Sequence, residues 1–324
     1  LSACGAQGRH SSVNLLDRTQ DLRRILNFVD GEWWLTVFHE EHGIEIRALK
    51  AAWASSCRLS GYHMRSPTSS TSTMKQLDNK AALVTGGGQG VGQGIALALA
   101  AEGAKIAVVG RTAEKLENTV RTITERGGTA IAAECNVKSS SDLENAVDTC
   151  VSQLGGLHIL VNNAQEVPLG TLDQVSDEAF TAGFESGPLA TLRLMKLAYP
   201  HLKGDGSIIN LASTAAMRWD MASYGAYAAV KEAIRSLTRA AACEWGMEGI
   251  RTNVILPHAK SPGLVWWMEN NPEEAEAFQR SIPQRRVGEC EEDIGRFVVQ
   301  LCSEGSRYVN GQTIAVDGGQ AFLG

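Results

Sequence analysis

Residues 81–101 read AALVTGGGQGVGQGIALALAA, and this stretch decides the fold. Ala81 to Thr85 is short, apolar and bounded by glycine, which suits a strand buried on both faces. Ile95 to Ala101 is a run of Ala and Leu, which suits a helix. Between them stands Thr85-Gly-Gly-Gly-Gln-Gly-Val-Gly92, in which Gly86, Gly90 and Gly92 alternate with Gln89 and Val91. Small residues at a strand-to-helix turn let the backbone approach a pyrophosphate, and the free N–H groups of the helix N-terminus favour the anion. In a chain with 33 Gly the spacing alone says little. Its position after a strand and before a helix makes it a nucleotide-binding turn rather than a plain tight turn.

The pattern continues in both directions from that turn. Lys105–Val109, Ala130–Ala133, Leu157–Val161, Ser207–Leu211, Thr252–Leu256 and Thr313–Val316 read as strands. Ala113–Arg126, Asp142–Leu154 and Tyr224–Trp245 read as helices. Strands alternating with helices of this length imply an α/β fold, a doubly wound parallel sheet with helices on both faces.

The first 73 residues break this rhythm. They carry Trp33, Trp34 and Trp53, end in a Ser/Thr-rich stretch from Ser66 to Thr73, and precede Met74, which stands directly before the patterned region. They are expected to be an extension or linker of uncertain structure, possible helices being Asp21–Val29 and Ile44–Trp53. Residues 74–324 are expected to form one dinucleotide-binding domain, which the motifs below mark as an oxidoreductase domain. His39 and His42 are three apart but lack further ligands, so they read as a solvated pair and no metal site is expected. Leu1-Ser2-Ala3-Cys4 fits a bacterial lipobox without the apolar stretch that should precede it, and is read as coincidence or truncation.

Composition removes several function classes. Lys plus Arg at 30 against Asp plus Glu at 36 gives a formal net charge of −6, so no nucleic-acid or anionic-membrane partner is expected. No apolar run nears the roughly 20 residues that span a bilayer. Seven Cys without a C-x-x-C pair suit reduced thiols in a cytoplasmic protein.

About twenty residues beyond the glycine turn, an acidic residue ending the second strand would bind the ribose 2′-hydroxyl of NAD. Gly110 and Arg111 occupy that place. A small residue followed by a guanidinium suits a 2′-phosphate, which favours NADP over NAD, the alternative being a solvated Arg at a strand end. Tyr227 and Lys231 are four apart in a helical run, so they share one face. A phenol is a poor acid-base group at neutral pH, and a neighbouring ammonium is expected to lower its pKa and fit it for proton transfer as hydride moves at carbon. Tyr224 has Ala228 at the matching position and lacks this partner. Ser213, just past the Ser207–Leu211 strand, reaches the same crevice and can hydrogen-bond a substrate oxygen.

In order, TGGGQGVG (85–92), LVNNA (160–164), SIINLAS (207–213), YAAVK (227–231) and GQTIAVDGG (311–319) resemble the short-chain dehydrogenase/reductase family across Met74 to Gly324. The resemblance implies a Rossmann-like sheet with one added strand, a nicotinamide cofactor and usually a homotetramer, a dimer being the other homo-oligomer considered. It also implies that Ser213 holds the carbonyl or hydroxyl, Tyr227 is the general acid-base and Lys231 contacts the nicotinamide ribose. By the same resemblance Asn163 and Ala164 line the cofactor path, while Asn136 and Val137 meet the adenine where Asp-Val is usual.

Three positions depart from the family pattern. Gln165 replaces the glycine that follows N-N-A; Gly187, counted back from Pro200, stands where an Asn usually orders a proton-relay water; and His258 follows Pro257 where glycine is usual. Gly187-Pro188 also implies a break between two helices. His258 is either a ligand contact or a loop residue. Ser261–Ile282 falls where the family keeps its substrate lid, and its cluster Leu264–Met268 is either an apolar substrate face or packing. The resulting expectation is an NAD(P)-dependent enzyme interconverting a small-molecule ketone and secondary alcohol. The other reading, motivated by the three departures, is a catalytically silent dinucleotide-binding sensor or interaction module.

Overall fold

The computed structural model describes residues 75–217 and 223–321, and before them the backbone of four strands. These are Ser11–Leu16 (β1), Leu22–Val29 (β2), Glu32–His39 (β3) and Gly43–Ala48 (β4), paired in that order as an antiparallel sheet. The chain divides into two units, Leu1–Thr71 and Ser72–Gly324.

The first unit corrects the expectation of short helices over Asp21–Val29 and Ile44–Trp53: Leu22–Val29 and Gly43–Ala48 are strands. LRRILNFV and EWWLTVFH are rich in β-branched and aromatic side chains, and the paired Val29 and Glu32 flank Asp30-Gly31, a dipeptide suited to a two-residue hairpin turn. Leu1–Cys4, His42 and Ser66–Thr73 lie outside the described residues.

The second unit is built on seven parallel strands: Ala81–Thr85 (β5), Lys105–Gly110 (β6), Thr129–Glu134 (β7), Ile159–Asn162 (β8), Gly206–Leu211 (β9), Ile250–Pro257 (β10) and Thr313–Val316 (β11). Their spatial order is β7-β6-β5-β8-β9-β10-β11, so the winding reverses between β5 and β8. Among its helices are Gly90–Ala101 (α1), Ala113–Glu125 (α2), Ser140–Leu154 (α3), Asp177–Phe184 (α4), Ala190–Leu202 (α5), Gly225–Trp245 (α6), Pro262–Asn270 (α7), Pro272–Ser281 (α8) and Arg296–Cys302 (α9). This is the doubly wound Rossmann-like sheet that the strand pattern predicts.

Alternate strand residues feed two cores, as the period of two in a strand requires. Ala82, Val84, Ile106, Val108 and Ile209 pack with α1, α2 and α9 on one face. Ala81, Leu83, Ala107, Val109 and Leu160 pack with α3 and α5 on the other. Each fully buried Leu, Ile or Val side chain contributes roughly 1.5–3 kcal/mol relative to exposure, so the central strands β5, β8 and β9, buried along their whole length, anchor the sheet.

One contact fixes α1 against its neighbour. Cys290–Gly295 is a π-helical turn leading into α9, and a Cβ on Gly94 would lie 2.3 Å from the Cys290 carbonyl carbon. A Cβ on Gly295 would in turn lie 2.5 Å from the Gly94 carbonyl oxygen, so the two backbones touch through paired glycines. Gly94→Ala should therefore cost about 1–3 kcal/mol, read as a lower denaturation midpoint in urea. Gly263→Ala, in α7 where nothing lies within 4 Å of the added methyl, should leave the midpoint unchanged or raise it.

Candidate active site

The crevice at the β5/β8 reversal is closed at its base by one hydroxyl. Thr85 Oγ1, at the end of β5, donates to the Val161 carbonyl (3.3 Å) and accepts from the backbone N–H of Asn163 (2.9 Å) and Ala164 (3.1 Å). The Asn163 side chain adds a second tie, its Nδ2 donating to the carbonyls of Thr85 (2.9 Å) and Gly86 (3.3 Å). The glycine turn fits tightly around this brace. Gly86 and Gly90 have φ of +65° and +58°, and a Cβ on Gly92 would stand 2.4 Å from both Asn163 Nδ2 and the Gly86 oxygen. Asn163 thus holds the turn in shape.

The N-terminus of α1 is open to an anion. Gln89, at its N-cap, makes no side-chain cap, and the first turn carries no acidic residue. The Gln89 Oε1 instead accepts from Lys115 Nζ at 2.5 Å, which brings a cation to the turn that the sequence motif did not include. Val91 is partly buried against the core below. Pro262, at the start of α7, lies over the turn, since a Cβ on Gly90 would sit 3.1 Å from its Cδ.

At the ends of β6 and β7 the candidate residues separate. The Arg111 side chain is 64% exposed and pairs with Glu166 Oε1 at 3.2 Å, and Lys138 Nζ reaches the same oxygen at 3.1 Å. Glu166 lies 55 residues from Arg111 in sequence, and nothing in the local pattern of either marks the pair. Asn136 is exposed, and its Oδ1 accepts from the Lys138 N–H at 3.2 Å, whereas Val137 is buried.

Ser213, Tyr227 and Lys231 come together across β9 and α6. Ser213 hydrogen-bonds the Tyr227 hydroxyl, and its Oγ also accepts from the Ala215 N–H at 3.2 Å. Lys231 is 4% exposed, donates from Nζ to the Leu211 carbonyl at 2.7 Å, and lies 5.5 Å from the centre of the Tyr227 ring. Tyr224, the residue without a lysine partner, is exposed, its ring centre 6.1 Å from that of Tyr227. A buried polar chain seats α6: Asn162 Nδ2 donates to Asn210 Oδ1 (2.8 Å), Asn210 Nδ2 to Thr238 Oγ1 (2.9 Å), and Thr238 Oγ1 to the Ile234 carbonyl (2.8 Å). Asn162 and Asn210 are register partners on β8 and β9. Within LVNNA and SIINLAS these asparagines were visible but carried no assigned role.

The expected helix break at Gly187-Pro188 takes another form. Glu185–Leu189 is a π-helical segment that carries α4 directly into α5, its wide turns accommodating a proline without an N–H, so the α register breaks but the helix runs on. Gln165 lies against Gly187: a Cβ there would be 3.0 Å from its Cδ and Nε2. The His258 ring packs edge-on to Phe278 at 5.3 Å, and Trp267 does the same at 5.8 Å, whereas Trp266 is 65% exposed.

Comparison with known proteins places this geometry. The family model described as Enoyl-(Acyl carrier protein) reductase matches residues 86–321. A 12alpha-hydroxysteroid dehydrogenase of Clostridium sp. is 37% identical over 251 residues, covering 75% of this chain and 96% of its own. The chain belongs to the short-chain dehydrogenase/reductase family. A 7 alpha-hydroxysteroid dehydrogenase solved with NADH and 7-oxo glycochenodeoxycholic acid superposes with a TM-score of 0.72 at 31% identity, over 76% of this chain and 96% of that one. A short chain dehydrogenase from Burkholderia cenocepacia in complex with NADP gives 0.70 at 31%, over 76% and 99%. The protein is an NAD(P)-dependent short-chain dehydrogenase/reductase.

The site of this short-chain dehydrogenase fits its dinucleotide on its own geometry: the braced glycine turn leaves no room for side chains, and the helix N-terminus behind it has neither a side-chain cap nor an acid. The electrostatics of Tyr227 and Lys231 differ from the expectation of a lowered phenol. Burial pushes Tyr227 up to about 12, with the Ser213 hydrogen bond pulling the other way. Burial also brings Lys231 down to about 7, because its ammonium is desolvated. A lysine with a depressed folded-state pKa disfavours the fold most below about pH 7, and that penalty fades as pH rises toward its unfolded value. Lys231→Met should therefore raise the unfolding temperature relative to the parent at pH 6, with a smaller gain or none at pH 10. An equal change at both pH values would contradict a buried, depressed lysine.

Proposed function

We propose that this dehydrogenase interconverts a ketone and a secondary alcohol, with Tyr227 as the general acid-base. The observation that carries the reading is the joining of Ser213, Tyr227 and Lys231 at the crevice end of the sheet. When bound, the nicotinamide ring supplies or accepts the hydride. In reduction the Tyr227 phenol, protonated at neutral pH because burial raises it to about 12, gives its proton to the carbonyl oxygen. The Ser213 hydroxyl orients that oxygen and the phenol together. Lys231, held by the Leu211 carbonyl, serves the nicotinamide ribose and favours the phenolate that remains. Gly86, Gln89, Gly90, Val91 and Gly92 cradle the pyrophosphate, Asn163 and Ala164 border its path, and Asn136 and Val137 flank the adenine.

For the cofactor we favour NADP, with NAD as the alternative. Arg111 and Lys138 face one carboxylate, Glu166, so two cations share one anion and a 2′-phosphate would complete the balance. Ketones on an apolar, polycyclic frame lead the substrate classes, supported by the Leu264–Met268 segment and by the steroid-named relatives. A homo-oligomer, tetramer or dimer, is supported by apolar side chains exposed near α4, namely Leu169, Leu172, Phe180 and Phe184. Five free cysteines among the described residues suit the cytoplasm. Among the described residues no helix is long and apolar enough to cross a membrane.

Tyr227→Phe should keep NADPH affinity while turnover of a reduced ketone falls by about 10²- to 10⁴-fold. Tyr224→Phe should leave turnover within a few-fold, and a Tyr227→Phe variant at full turnover would contradict the mechanism. Arg111→Ala should weaken NADPH binding by about 1.5 kcal/mol, roughly tenfold, and leave NADH nearly unchanged. Glu166→Gln should act oppositely and tighten NADPH. Equal effects on both cofactors, measured by nicotinamide fluorescence, would refute the assignment of Arg111 to the 2′-phosphate.

A further inference from the structure

A dinucleotide site that takes NAD needs an acceptor for the ribose 2′-hydroxyl, and in a Rossmann sheet that acceptor is an acid ending the second strand. Gly110 and Arg111 leave β6 without one. The fold brings a carboxylate there from elsewhere in the chain. Glu166, in the loop after β8, places Oε1 3.2 Å from an Arg111 guanidinium nitrogen and 3.1 Å from Lys138 Nζ, so it lies among the side chains that follow β6 and β7. Because β5 stands between β6 and β8, Glu166 and Arg111 meet across the end of β5, where the glycine turn begins.

The backbone around Glu166 is fixed. Thr85 Oγ1 accepts from the N–H of Asn163 and Ala164, and Ser186 Oγ accepts from the Glu166 N–H at 2.9 Å while donating to the Ala182 carbonyl at 2.7 Å. Ser186 is buried, so the loop is pinned just before Glu166 and again at it. Both cations sit on Oε1, and Oε2 has no partner among the described residues. An ionised carboxylate accepts through both oxygens, so Glu166 has an acceptor to offer a hydroxyl without releasing either cation. Asp142, an acid beyond β7, is engaged already by the Asn136 N–H (2.9 Å) and Ser139 Oγ (2.8 Å).

The same arrangement responds differently to a phosphate. The Arg111 side chain is 64% exposed and that of Glu166 32%, and ion pairs so open to water are weak, so the cations exchange partners readily. A 2′-phosphate competes for both cations and repels the carboxylate, whereas a 2′-hydroxyl donates to it and leaves both pairs intact. Resting on the dinucleotide-binding reading above, we infer that Glu166 lets this site take NAD as well as NADP, its carboxylate accepting the adenosine ribose 2′-hydroxyl of NAD. The 2′-phosphate of NADP displaces that carboxylate from Arg111 and Lys138. One site serves both cofactors because its acid and its two cations come from different loops and part when a phosphate arrives.

The test uses the full chain and reads equilibrium binding by nicotinamide fluorescence, so it needs no substrate. The ligands are NADH, NADPH and an NADH analogue lacking the 2′-hydroxyl of the adenosine ribose. The parent should bind NADH about tenfold more tightly than the 2′-deoxy analogue, as a hydrogen bond to a charged group implies. Glu166→Ala should bring those two ligands within about twofold of each other, with NADPH bound no more weakly than by the parent and the unfolding midpoint unchanged. Glu114→Ala, which removes the acid in the first turn of α2, should keep the parent's preference for the 2′-hydroxyl. A parent that binds NADPH but not NADH would overturn the inference, as would one that binds NADH and its 2′-deoxy analogue alike. So would a preference that survives Glu166→Ala or vanishes in Glu114→Ala, or an equal loss of NADH and NADPH with a lowered midpoint. A parent that binds neither NADH nor NADPH would overturn the dinucleotide-binding reading itself, and this inference with it.

Discussion

The Thr85 hydroxyl is the point on which the site is built. It stands at the end of the central strand, between the two halves of the winding, and its three short contacts join β5 to the loop after β8. In a parallel sheet the strand ends diverge toward the loops, and the crevice at the reversal stays open only if something fixes its floor. Thr85 does so with both donor and acceptor capacity used, and Asn163 then presses the glycine turn into a shape that no side chain at Gly86 or Gly92 would permit. The cofactor cradle, the placement of Gln165 and the approach of Glu166 to Arg111 all follow from the path of that one loop.

A second constraint runs through α6. Lys231 is buried at a cost to the fold, since desolvation of its ammonium lowers its pKa, and the proposed chemistry gives that cost a purpose. The Asn162–Asn210–Thr238 chain offsets part of the difficulty of seating a polar helix face on an apolar sheet, since each link satisfies a buried group. Stability and function pull in opposite directions here. Gln165 repeats the theme, with a shielded amide that hydrogen-bonds nothing within the protein.

The sheet was legible because its central strands are buried on both faces and stand out as apolar runs: Ala81–Thr85 matches β5 to the residue and Ser207–Leu211 misses β9 by one, while Thr313–Val316 matches β11, a half-buried edge strand. The antiparallel sheet of the first unit was not, because LRRILNFV suits a helix about as well as a strand when the Asp30-Gly31 turn signal beside it is overlooked. Spacing put Tyr227 and Lys231 on one helix face and the strand end put Ser213 beside them, and the structure brings the three together, but spacing is blind to contacts between distant segments. Arg111 with Glu166, and Gln165 with Gly187, are such contacts. The direction of the Tyr227 shift was missed for a related reason: the sequence shows that a lysine is near, and only the structure shows how deeply both groups are buried.

The central claim is that hydride passes from the nicotinamide to a carbonyl carbon while the protein supplies the proton. It is tested most directly by carrying out the reduction in ordinary water with NADPH deuterated at the transferable position of its ring, and examining the product by mass spectrometry and proton NMR. The account predicts one deuterium per product molecule, all of it on the carbinol carbon. Product whose carbinol hydrogen comes from water, with no deuterium retained, would contradict it.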